Sequence, residues 1–176
     1  MTCTVIGRPD PHPDTFACGV DLVGPSNLIT FLNNVPAYWV PMLPLLKDRV
    51  GDHTTEAGQA FLQQRSPLTH VNQITKPLLI GQGANDPRVP RRESDQIVRA
   101  MQERAIPVTY VLYSDEGHGF ARPENSMSFW AIAEAFLAQH LGGRYQPIGD
   151  DFAGSSLQVL AGADSVPGLS EALSNR

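Results

Sequence analysis

Residues 81–90 read GQGANDPRVP and residues 115–120 read DEGHGF, and these two loops decide the fold. Each follows a short apolar run, Pro77-Leu-Leu-Ile-Gly81 before the first and Pro107-Val-Thr-Tyr-Val-Leu-Tyr113 before the second. Their apolarity is continuous rather than alternating, which predicts parallel strands covered on both faces. A third run, residues 16–23 (FACGVDLV), ends in Gly24-Pro25 and reads the same way. Between the runs at 77–81 and 107–113, Ile97, Val98 and Met101 recur at helical spacing across residues 92–104, with Ala105 and Pro107 closing the helix. Residues 124–141 carry a longer stripe of Phe129, Ile132, Ala133, Phe136, Leu137 and His140, stopped by Gly142-Gly143. Strand and helix alternate, so the expectation is an α/β fold with a mostly parallel sheet of about three strands and flanking helices.

The rest of the chain is less periodic. Residues 26–70 form a long irregular or helical region rich in Pro, Asn and aromatics. Residues 144–176 are polar and Gly/Ser-rich, and are expected to be a loosely ordered tail behind a partial catalytic domain of residues 1–143.

Composition narrows the function. The 176 residues are 41% hydrophobic and carry a net charge of -5, which suits one domain with a sizeable core. No basic cluster offers a footprint for nucleic acid: Arg88, Arg91 and Arg92 are followed at once by Glu93 and Asp95. The most apolar stretch, residues 28–46, is broken by Asn33, Asn34, Pro36, Pro41 and Pro44, short of the roughly 20 apolar residues of a membrane helix. Met1 is not followed by a secretory pattern, so a cytoplasmic location is expected. Cys3 and Cys18 show neither metal spacing nor a disulfide framework, and His12, His53, His70 and His118 lack the spacing of a metal site.

Reactive groups of open α/β sheets collect in loops beyond the carboxyl ends of the strands. Asp86 follows the second strand and His118 the third, and adjacent strands lie about 5 Å apart. A carboxylate that accepts from one ring nitrogen fixes the imidazole's tautomer and leaves the other nitrogen free as a general base. The glycines beside His118 allow a sharp turn and a close substrate approach. Taken singly, His118 reads as a turn residue and Asp86 as a helix-capping acid.

The chain order, Asp then His, is that of α/β-hydrolases, which run Ser, Asp or Glu, His. GANDPRV, a helix, a strand and EGHGF together resemble the C-terminal catalytic half of the prolyl oligopeptidase family of serine peptidases, from the first residues to about Gly143. The resemblance is strongest to acylaminoacyl-peptidase and dipeptidyl-peptidase-like members. It implies that Asp86 is the triad acid and His118 the base, that Arg88 holds a substrate carbonyl, and that the substrate is a peptide or small ester processed without a cofactor.

The family's nucleophile elbow, G-x-S-x-G-G-Y, does not occur in these 176 residues. Ser26, Ser114, Ser126, Ser155 and Ser156 all lack its setting. In the family the elbow continues into a segment like MTCTVIGRPD, so the resemblance implies a serine a few residues before Met1, with Cys3 in the helix beyond the turn. The expectation is a chain with two thirds of a triad, inactive alone. The alternative is a hydrolase-like binding or dimerisation module that associates, with itself or with the missing part, through the edge of its first strand. Tyr38 and Trp39 are candidates for a pocket lining or for ordinary core packing.

Overall fold

The computed structural model describes residues 16–176. The opening MTCTVIGRPDPHPDT, with Cys3 and His12, lies outside them. Three parallel strands form the frame: β1 (Gly19–Leu22), β2 (Leu78–Gly83) and β3 (Val108–Tyr113). β1 pairs with β2 from Gly19↔Leu78, and β2 pairs with β3 from Leu78↔Val108 to Gly83↔Tyr113. Every residue of β2 and β3 is buried, as continuous apolarity requires.

Side chains divide between the two faces. Leu78, Ile80, Val108 and Tyr110 pack against Ile97, Val98 and Met101 of the helix Arg92–Gln102. Leu79, Val111 and Tyr113 pack on the other side against Phe129, Ile132 and Phe136 of the helix Pro123–Leu141. In chain order the helices are α1 (Leu28–Leu32), α2 (Leu43–Arg49), α3 (Glu56–Arg65), α4 (Arg92–Gln102), α5 (Pro123–Leu141) and α6 (Leu169–Ser174). No helix among the described residues is long and apolar enough to cross a membrane.

The structure corrects two expectations. The sheet has four strands, because β4 (Leu157–Ala161) pairs antiparallel with β3, Tyr113 opposite Leu157. The segment after Gly143 is therefore not a loose tail. Phe152, Leu157, Val166 and Leu169 are all buried in the α5 cluster. Only a few apolar residues are needed here, because an existing strand edge supplies the partner hydrogen bonds and α5 supplies the apolar surface. That makes the local signal short and easily lost among Gly and Ser.

Residues 26–70 fold as α1 to α3 with intervening 3₁₀ turns. Asn27 caps α1, its Oδ1 accepting from the amides of Ile29 and Thr30. Phe31, Leu32 and Leu62 form a third cluster, which also takes in Val89 from the loop after β2. The helical segment is thus packed against the Asp86 loop.

Candidate active site

Because β2 and β3 end in register, the loops that follow them leave from one rim. They come closer still because of Gly83. A Cβ there would lie 2.1 Å from the carbonyl oxygen of Gly117 and 2.7 Å from that of Glu116. Only a residue without a side chain lets the two backbones touch. They are then joined by hydrogen bonds from the Ala84 amide to Tyr113 O, the Asn85 amide to Glu116 O, and the Asn85 side chain to Ser114 O.

In this setting His118 Nδ1 lies 2.8 Å from Asp86 Oδ2. The other carboxylate oxygen accepts from the amides of Arg88 (2.8 Å) and Val89 (2.9 Å), a tight Asx turn. A carboxylate that accepts from Nδ1 leaves Nε2 as the ring nitrogen free to accept. Exposure divides the labour. The Asp86 side chain is 0% exposed, whereas His118 keeps 16% of its surface open. Among the described residues nothing bonds to Nε2, so that nitrogen has no partner there to compete with a reacting hydroxyl.

Arg88 is exposed beside Asp86, and its backbone, not its guanidinium, meets the carboxylate. Among the described residues no candidate serine is hydrogen-bonded to His118, whose recorded partner is Asp86. Ser26 is buried and donates to Glu93 O at 2.6 Å. Ser155 donates to Phe152 O, and Ser156 to the Asp115 carboxylate. Cys18 is buried, and burial pushes its thiol pKa up, away from a reactive thiolate. Trp39 stands edge-on to Phe31 at 6.3 Å, while Tyr38 is 57% exposed. Among the described residues no three His, Cys, Asp or Glu side chains converge to hold a metal.

Several polar residues of this rim carry no sequence-level assignment. Gln82 lies fully buried inside β2, donating to Val89 O and accepting from Ser94 Oγ, and so underpins the Asp86 turn. Glu93, also fully buried, accepts from the Asn27 amide, Thr30 Oγ1 and Gln96 Nε2, and clamps α1 onto α4. Its signal was available: Glu93, Ile97 and Met101 repeat every four residues on one helical face. Glu116 is 3% exposed and receives three hydrogen bonds from beyond the His loop.

Comparison with known proteins bears on this arrangement. A model described as the prolyl oligopeptidase family matches residues 2–144. Dipeptidyl aminopeptidase BIII of Pseudoxanthomonas mexicana is 66% identical over 161 residues, 92% of this chain and 23% of the relative. Dipeptidyl peptidase family member 6 of Caenorhabditis elegans is 54% identical over 136 residues, 77% of this chain and 18% of the relative. The chain thus spans less than a quarter of these relatives' length. Among solved structures, a puromycin-hydrolysing peptidase of Mycobacterium tuberculosis superposes with a TM-score of 0.64 at 27% identity, covering 75% of this chain and 19% of that one. An acylaminoacyl peptidase of Pyrococcus horikoshii gives a TM-score of 0.64 at 20% identity, over 77% of this chain and 22% of that one, a likeness of fold.

Proposed function

This chain belongs to the prolyl oligopeptidase family of serine peptidases, with an α/β-hydrolase fold, and from that premise we propose that it contributes the acid and base of a Ser-Asp-His peptidase. The observation that carries the proposal is the 2.8 Å hydrogen bond between a sealed Asp86 and a partly open His118. In the proposed cycle, His118 Nε2 takes the proton of a serine hydroxyl as that oxygen attacks the scissile carbonyl. It then returns the proton to the leaving amine. Asp86 holds the ring in its productive tautomer and stabilises the imidazolium. The serine and the oxyanion-stabilising amides come from outside the described residues, and the 176-residue chain alone is inactive. Without them, a positioned base contributes only about 10²–10⁴-fold. The substrate is a peptide, and the 66% identity to a dipeptidyl aminopeptidase supports release of dipeptides. Arg88, exposed at the same rim, is proposed to meet a substrate carbonyl.

The test is fluorophosphonate labelling of a chain extended N-terminally through a G-x-S-x-G-G-Y elbow. Labelling is expected in the extended chain, absent from the 176-residue chain, and lost on Asp86→Ala or His118→Ala. Undiminished labelling of both variants would overturn the assignment.

A second reading rests on a different observation. Among the described residues β1 is an edge strand, and Met127, Trp130 and Leu141 of α5 are exposed at helical spacing. These surfaces suit association with a second copy or with an upstream hydrolase segment. A monomer in size-exclusion chromatography with low hydrophobic-dye binding would argue against it.

A further inference from the structure

The imidazole of His118 sits on a glycine-flanked loop whose own pairing, among the described residues, is an isolated bridge between Gly117 and Gly119. Gly117 and Gly119 flank His118, Gly119 has φ +96°, and among the described residues nothing lies within 4 Å of a Cβ built on Gly119. Glycines of this kind widen the range of backbone conformations. Yet a shared proton at 2.8 Å requires the ring to be fixed to within a few tenths of an ångström. Some other group must restrict the loop.

Glu116 has the geometry to do so. It stands immediately before the loop, and its backbone carbonyl is tied to the Asn85 amide at 2.9 Å. Its side chain reaches over the loop to the exit. Oε2 accepts from the Ala121 amide at 3.0 Å, and Oε1 accepts from the Arg122 amide at 2.9 Å and from Asn125 Nδ2 at 2.8 Å. One residue thus pins both ends of the segment Gly117-His118-Gly119-Phe120. The two amides precede α5, where they lack intrahelical partners, so the carboxylate meets donors that would otherwise be unpaired. Burial alone would push the Glu116 pKa up. The Asn125 bond and the two amides outweigh it and hold the carboxyl below its ordinary value, as an anion. Phe120 completes the loop's anchoring by packing on Tyr113 (4.3 Å between ring centroids) and Phe129 (5.2 Å).

We propose that Glu116 is a positioning residue for His118: its carboxylate closes the glycine loop and keeps the imidazole in register with Asp86. The inference rests on the reading of Asp86 and His118 as a working pair, and its test separates the two. The readout is the imidazole ¹H–¹⁵N spectrum of the intact 176-residue chain, where a carboxylate-bonded Nδ1 proton is strongly deshielded and exchanges slowly with water. That proton is expected in the wild type and absent in Asp86→Asn. Its absence from the wild type, or its survival in Asp86→Asn, sinks the pair itself.

With the pair intact, Glu116→Gln replaces one acceptor oxygen by a donor that faces other donors. Hydrogen bonds to a charged group are worth enough that the Nδ1 proton should exchange about 10- to 100-fold faster in this variant. A folded Glu116→Gln protein with the wild-type exchange rate would reduce Glu116 to a cap of α5 and overturn the proposal. Asn125→Ser removes one of the three donors, and a smaller acceleration in the same direction is expected. That variant carries the test should Glu116→Gln fail to fold, and an unchanged rate in it counts against the proposal equally.

Discussion

The two loops that meet at this rim are built in opposite ways. The Asp86 loop is fixed from within: its own carboxylate accepts the amides two and three residues ahead, and Val89, 1% exposed, plugs it into the third cluster. The His118 loop has one backbone bridge of its own, between Gly117 and Gly119, and is braced by side chains from either side, Glu116 before it and Asn125 after it. The difference suits the tasks proposed for them. A sealed acid can spend its second oxygen on the backbone, whereas a base that must meet a substrate needs a bare, glycine-lined approach. Rigidity then has to come from outside the loop. Asp21, near the end of β1 and far less well supported, shows what happens to a carboxylate without such partners. Its Oδ1 is sealed from solvent with no hydrogen-bond partner among the described residues, and burial drives its pKa up to about 6 against a favourable contact from the Gly24 amide.

The comparison can be broken most severely at the acid. In an elbow-containing protein, Asp86→Asn should lower the rate of serine labelling by about 10⁴-fold, because the ring loses its productive tautomer. A fall of less than tenfold, measured by fluorophosphonate kinetics, would mean that Asp86 does not orient His118. Next is the contact between the loops. Gly83→Ala forces a methyl group to 2.1 Å from a backbone carbonyl, which cannot swing away as a side chain would. It should cost about 3 kcal/mol in denaturant unfolding and weaken the Asp86–His118 bond with it.

Asp21 sharpens the contrast through pH. Its folded-state pKa of about 6 lies above its ordinary 3.8, so between those values the folded protein holds a proton that the unfolded chain has released. Stability should therefore fall as pH rises from about 4 to 6, by up to about 3 kcal/mol, and stay level above. Asp21→Asn should abolish that slope, as read by urea unfolding at pH 4.5 and 7.5. Glu116 has the opposite sign: its depressed pKa gives stability that is present above its ordinary 4.5 and lost as pH falls through the folded value. The smallest effect is expected from Asn85→Ala. Its side-chain bond to Ser114 O is solvent-exposed, and its loss should cost about 0.5–1.5 kcal/mol.

Much of the fold was legible because β2, β3, α4 and α5 each carry a period or a continuous run that local chemistry enforces. The predicted limits of α4 and α5 differ from Arg92–Gln102 and Pro123–Leu141 by no more than two residues. β4 was not legible, since LQVLA has too few residues to outweigh its Gly/Ser surroundings and becomes a strand only beside β3. Gln82 and Glu116 were missed for a related reason. A buried polar residue reveals its purpose through partners, and those partners lie seven to twelve residues away for Gln82 and five to nine for Glu116.

The sequence by itself determined which residue types stand at the ends of which strands, because strand and helix periodicities are properties of consecutive residues. It placed a carboxylate after one strand and a glycine-flanked imidazole after the next. Tertiary structure alone decided that they lie 2.8 Å apart, that the carboxylate is sealed and the imidazole partly open, and that Glu116 spans the loop. Those are distances and exposures set by parallel register and by the backbone contact at Gly83, which no local pattern encodes.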